Sequence, residues 1–252
     1  MPESMMLRRI AIGTLAAMGV VLLPFRPVAA FTLRESDSGA EVRWHEGERA
    51  VRIDESLAHL GSASQARGAV VDALAAWAAV EGSPFVFEPE PGFRQGLGRG
   101  QRLDGVSDVS VVSEGWELDP SYLAITLVTY DPASGEIWDA DVLLNGDSHE
   151  LAVGELDGRF DAASVLTHEV GHLVGLGHSE LAEATMYASS RPGETVKRSL
   201  AADDELGLQA LYLGQPMDGG AGCRVSPARS GGAATWIAAG AVLWLVRRRR
   251  AR

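Results

Sequence analysis

The segment HEVGHLVGLGH, from His168 to His178, restricts this chain more than any other stretch of it. Residues four apart on an α-helix are turned by only about 40° from one another, so a helix through His168 and His172 presents both imidazoles on one face, within reach of one ion. A helix continued to His178, at about 1.5 Å per residue, would carry that third histidine roughly a full pitch too far along the axis. The helix must therefore stop and the chain turn back. Gly175 and Gly177 fall in the gap, and glycine accepts the left-handed backbone that such a turn requires.

Three histidines leave one position of a tetrahedron open, the arrangement of a catalytic zinc site rather than a structural one. Glu169 follows the first histidine directly, and its place in HExxH makes it the general base. The chemistry expected is hydrolysis of a peptide bond by an activated water, with Glu169 taking the proton and passing it to the departing amine.

The complete pattern HExxHxxGxxH, with Met186 in ATMYAS downstream, resembles the metzincins. Ser179 after the third histidine and the pair Met186-Tyr187 are similar to the matrixin branch, as are GEIWDADVLLN before the motif and LAADDELGLQALY after it. The resemblance runs from about Val42 to Leu213 and is strong from Gly135 onward. It implies an α+β metzincin (zincin-like) domain: a twisted mixed sheet, a helix bearing zinc ligands His168, His172 and His178, a methionine turn at Met186, and a closing helix. It also implies possible calcium near Asp139, Asp141 and Asp147, whose hard oxygens suit that ion, although turn-forming or solvated acids are the readier reading of the same residues. An acidic residue at the start of the closing helix, Asp204 or Asp203, would pair with a freed amino group on Phe31. Two departures stand out. Ala188 replaces the proline that often follows Met-Tyr, and no cysteine precedes Cys223, so latency through a cysteine is not expected. His45, His59 and His149 are weighed as a second zinc site against ordinary surface or core histidines.

Arg8 and Arg9, an apolar run from Ile10 to Leu23 and Val28-Ala29-Ala30 read as a signal peptide over residues 1–30. A catalytic domain follows over 31–213, then a Gly-rich linker with Cys223 over 214–232. Residues 233–252 hold a short apolar run and Arg247–Arg250, resembling a myxobacterial sorting tail that a membrane protease processes. The expected product is an exported, monomeric protein, extracellular or at the bacterial outer surface, tied to the membrane through its tail until processing. The net charge is −12 overall, but residues 31–222 hold 12 basic against 33 acidic residues, hence −21. Such a surface repels nucleic acid; it is compatible with bound divalent cations or cationic substrates, or is a solvated exterior that confers solubility, and the expected hydrolysis implies protein or peptide substrates as partners.

Alternation of apolar residues predicts two short strands within Glu41–Asp54, and further strands at Phe85–Phe87, Val109–Val112, Leu123–Tyr130 and Ala140–Leu144. Ala66, Val70, Leu74, Trp77 and Ala78 recur at helical period within Ser64–Val80, with Ser62 or Ser64 as cap. Strands with one early and two late helices argue for an α+β domain. The competing reading is a surface adhesion module that keeps the zinc ligands but turns over weakly; Glu169 argues against it.

Overall fold

The computed structural model describes residues 29–45, 47–95, 97, 103–214 and the backbone of Ala241–Val246. The expected signal peptide up to Val28, the expected linker with Cys223 and the rest of the expected C-terminal tail lie outside the described residues.

Serine 62 starts the first helix. Its side chain accepts from Gln65 N–H while the Gln65 side chain returns to Ser62, a capping box that opens α1 (Ala63–Ala78). Ala66, Val70, Leu74 and Trp77 lie on the buried side of α1, as their period predicts. Helix α2 (Ala162–Leu173) is capped by Asp161, which accepts from Ser164 N–H and is clamped by both ends of the Arg198 guanidinium at 2.7 and 2.8 Å. Burial pushes the Asp161 carboxyl up, but the bonds from Arg198 and Ser164 outweigh it and hold the group below its ordinary range.

The strands are β2 (Glu48–Ile53), β3 (Val86–Pro89), β4 (Ser107–Val112), β5 (Ala124–Tyr130) and β6 (Ile137–Asn145). They assemble in the order β5-β6-β4-β2-β3, all parallel except β5, which runs antiparallel to β6. Ala241–Val246, here β10, lies parallel along the outer edge of β5. Val109, Val111, Ala140, Val142, Ala124 and Val128 point to one face, where they form a core with α1 and α2. Val112, Ile125, Leu127 and Leu143 point to the other, covered by Trp116, Leu118 and Tyr122. Both faces of β5 and β6 are thus buried, which explains why β5 is apolar apart from its threonines and Tyr130, whereas β6 carries Asp139, Asp141 and Asn145 as buried polar residues.

The expected first strand of the Glu41–Asp54 pair is reduced to isolated bridges, Glu35 with Glu41 and Arg43 with Glu136. Val42 and Trp44 are buried by packing instead, with Trp44 Nε1 donating to Leu173 O at 2.8 Å. Short strands that carry no periodic signal complete the fold: β1 (Phe31–Leu33) pairs antiparallel with β9 (Leu176–Ser179), and β7 (Leu151–Ala152) pairs with β8 (Phe160–Asp161). Helix α3 (Ala202–Leu213) closes the domain and ends at Gly214. Among the described residues no helix is long and apolar enough to cross a membrane.

Candidate metal centre

Helix α2 ends at Leu173, and the chain reverses through Gly175, whose φ of +106° lies in the left-handed region. A side chain there would also press within 2.8 Å of Val42 O. Gly177 serves differently: a Cβ would come within 2.3 Å of Thr32 Oγ1, so its role is to let β1 approach β9. The reversal brings His178, on β9, back beside His168 and His172, and the potential donor atoms of all three lie within 4.8 Å of one another.

The buried edges of this cluster fit a metal. His172 Nε2 and His178 Nε2 stand 3.2 Å apart, close to the edge of about 3.3 Å of a tetrahedron whose metal–nitrogen bonds are about 2.0–2.1 Å. His168 Nδ1 lies 2.6 Å from Thr185 O and His172 Nδ1 lies 2.9 Å from Leu176 O. A carbonyl accepts, so each Nδ1 carries the hydrogen and each Nε2 keeps its lone pair for the cluster. His168 Nε2 is buried without a hydrogen-bond partner among the described residues. Burial, reinforced by neighbouring positive charges, lowers the pKa of both imidazoles well below the ordinary value. Neutral ring nitrogens are what a zinc ion requires.

Glu169 points from the same helix toward β5, where Thr126 Oγ1 donates to its Oε2 at 2.6 Å. Its Oε1 is buried and makes no hydrogen bond among the described residues, leaving an acceptor unused. Burial pushes the carboxyl up to about 8, with the bond from Thr126 and the charge of Lys197 acting in the opposite direction.

Met186 is 1% exposed and packs on Gly171 of α2, where an added Cβ would fall 2.2 Å from its sulfur. The turn is pinned by Asp204, whose carboxylate accepts from Thr185 N at 2.8 Å, Met186 N at 2.9 Å and Ala201 N at 2.8 Å. Asp204 therefore faces inward and is not the residue that meets the N-terminal segment. Asp203 does so, accepting from Ala30 N at 2.7 Å and Ser179 Oγ at 2.6 Å.

The candidate calcium residues separate. Asp139 and Asp141 lie on the sheet face opposite α2, next to Asp108 and Arg52, with Asp141 accepting from Asp108 N at 2.8 Å. Asp147 sits past the end of β6, accepting from Trp116 N at 3.2 Å, and does not join them. His45, His59 and His149 do not converge; the three-histidine cluster is the one metal-ligating group of its kind among the described residues.

Residues 113–213 match the profile of the family described as Matrixin, a span that begins after β4 and includes the whole metal centre. This stretch is similar to the matrixins, and the α+β fold is of the metzincin type. Its relatives include Metalloendoproteinase 1-MMP of Arabidopsis thaliana, 46% identical over 83 residues, or 33% of this chain and 20% of that one. Metalloendoproteinase 1 of Glycine max is 45% identical over 65 residues, covering 26% of this chain and 21% of its own. Matrilysin of Rattus norvegicus is 37% identical over 73 residues, 27% of each chain. The chain thus spans between a fifth and about a quarter of the length of these relatives. Sequence reasoning passes over Thr126, Lys197 and the backbone oxygens of Thr185 and Leu176. A hydroxyl in an otherwise apolar strand, as in AITLVTY, is the one signal that marks Thr126 beforehand.

Proposed function

We propose that this matrixin-like domain is a zinc-dependent endopeptidase, with His168, His172 and His178 holding the metal and Glu169 as general base. The orphaned, buried Nε2 of His168 beside two further imidazoles carries the reading, because a buried nitrogen with no partner is costly unless something fills the cluster. Zinc held there supplies Lewis acidity, which polarises a scissile carbonyl and makes water acidic enough to attack near neutral pH.

The chain's own groups do the rest. Thr126 holds one carboxylate oxygen of Glu169, and the other, Oε1, has no hydrogen-bond partner among the described residues and is left to act as the base. It accepts a proton from the attacking water and releases it to the leaving amine nitrogen. The carbonyls of Thr185 and Leu176 lock the tautomers of His168 and His172, and Asp204 holds the segment that supplies the first of these. Asp139 and Asp141 are the residues of this domain suited to calcium, on the far face of the sheet, where the ion would stabilise the fold without touching the chemistry. The N-terminal and C-terminal sequence patterns support export and display at the surface, with the tail as a processed anchor.

The test is metal exchange on the purified full chain. Dialysis against a zinc chelator should abolish cleavage of casein and a single equivalent of zinc should restore it; cleavage that survives complete removal of zinc overturns the proposal.

A further inference from the structure

Strand β5 is paired along both edges. β6 lies on one side, and β10 lies on the other in parallel and unbroken register, from Ala241 opposite Ile125 to Val246 opposite Tyr130. A bare outer edge would present a row of unpaired backbone N–H and C=O groups on an apolar strand, a template for any extended chain that reaches it. The segment that lies there, AVLWLV, carries no charge and no proline, and its branched and aromatic residues suit a strand. It is joined to Gly214, at the end of α3, by residues 215–240, or 240 − 214 = 26 residues. That length of chain spans up to about 85 Å, against a radius of gyration of roughly 16 Å for a domain of this size.

The place of the covered edge decides what the contact does. Val242 stands opposite Thr126, and Thr126 Oγ1 donates to Glu169 Oε2 at 2.6 Å and lies 3.1 Å from Glu169 O. The backbone of β10 is therefore one strand spacing, about 4.8 Å, from the residue that aims the proposed base. An extended peptide presented to Glu169 gains main-chain hydrogen bonds by adding to an open strand edge beside it. An edge that is already paired has no such bonds to offer. At its far end β10 reaches Tyr130, next to Asp131 and within the field of Asp37. The sequence that follows, Arg247–Arg250, carries the charge opposite to those acids.

We propose that Ala241–Val246 is an intramolecular cover strand: in the full chain it occupies the outer edge of β5, keeps extended peptides from Glu169 and the three histidines, and gives up that edge when the C-terminal segment is removed. The consequence for activity rests on the endopeptidase reading above; the strand pairing does not. A flexible tether supplies an effective concentration of about 1 mM, so a strand contact with a Kd of only about 0.1 mM covers the edge about 90% of the time. A competing cover of that occupancy raises KM about tenfold and leaves kcat unchanged.

The experiment compares the zinc-loaded full chain with the full-length double variant Leu243→Pro/Trp244→Pro. Proline has no N–H to give to a ladder, and of two successive strand residues one turns its N–H to the neighbour, so the pair of substitutions breaks the contact with β5. Both chains are assayed on the same short unstructured casein peptide, and the β5 amides are followed by hydrogen exchange. The proline variant should keep its zinc, show a KM about tenfold lower with kcat within twofold, and exchange the amides of β5 that face β10 at least tenfold faster. The full-length control Leu243→Val/Trp244→Phe keeps strand-forming residues and should behave as the unmodified chain. Unchanged exchange in the proline variant, or equal KM values in the two chains, overturns the inference and leaves the endopeptidase reading standing. Faster exchange with no cleavage by either chain overturns the endopeptidase reading and, with it, the restraint on activity.

Discussion

Removing the Asp204 carboxylate should loosen the metal centre from beneath. In Asp204→Ala the amides of Thr185, Met186 and Ala201 lose the acceptor they share, in a position with no solvent exposure at the aspartate. Each buried amide left unsatisfied costs roughly 1–3 kcal/mol. Part of that is returned because the carboxylate itself is buried at a cost, as its raised pKa shows. The net loss should be about 3–5 kcal/mol, a large share of the ~5–15 kcal/mol that stabilises an ordinary domain. For a domain of this size that corresponds to a fall in Tm of roughly 6–20 °C. Asp204→Asn keeps a carbonyl acceptor and should lose less than half as much. Because Thr185 O orients His168, zinc affinity should also fall about 10–100-fold in the alanine variant. Urea unfolding followed by the fluorescence of buried Trp44 and Trp77 measures the first effect, and competition with a zinc-binding dye measures the second. A loss below about 1 kcal/mol in Asp204→Ala would show that water or a shifted loop replaces the carboxylate and that the turn is not pinned from α3.

Thr126→Val removes the hydroxyl that aims Glu169 while preserving shape; turnover should drop at least about tenfold with zinc content unchanged, and Thr126→Ser should recover most of it. Gly171→Ala gains up to about 1 kcal/mol of helix propensity but drives a methyl into Met186 and Trp77, so a net destabilisation of roughly 1–2 kcal/mol should appear in urea titrations. Asp139 is pushed up to about 8 and Asp141 to about 7, chiefly by burial. Since both folded values exceed the unfolded value of about 3.9, the native state holds more protons between these limits. The stability they contribute is complete below about pH 3.9 and is lost as pH rises through 7 and 8. The urea midpoint in calcium-free buffer should therefore fall between pH 5 and pH 8.5, less steeply in Asp139→Asn or with millimolar calcium; equal slopes in all three would contradict this account of the acidic pair.

The metal centre was legible because its geometry is local. His168 and His172 need only a helix, and His178 needs only a reversal that Gly175 supplies. Helix α1 was legible for the same reason, with Ser62 and Gln65 marking its start. What escaped depends on partners distant in sequence. Strand β1 is three residues long and exists because Gly177 lets it lie against β9. Glu41–Trp44 alternates as a strand should, yet its apolar side chains fill the core without a continuous ladder. Asp203 and Asp204 read as equivalent acids at a helix start, but one turns to the N-terminal segment and the other to the methionine turn. Lys197 was invisible because a charged residue in a polar loop is ordinarily solvated.

The most direct measurement is made on Glu169→Ala, by determining zinc content and peptide hydrolysis on one purified sample. The account predicts one equivalent of zinc, as in the unmodified chain, and a loss of turnover of at least about 10²-fold, because the histidines hold the metal and Glu169 only moves the proton. Undiminished hydrolysis with zinc in place would contradict it.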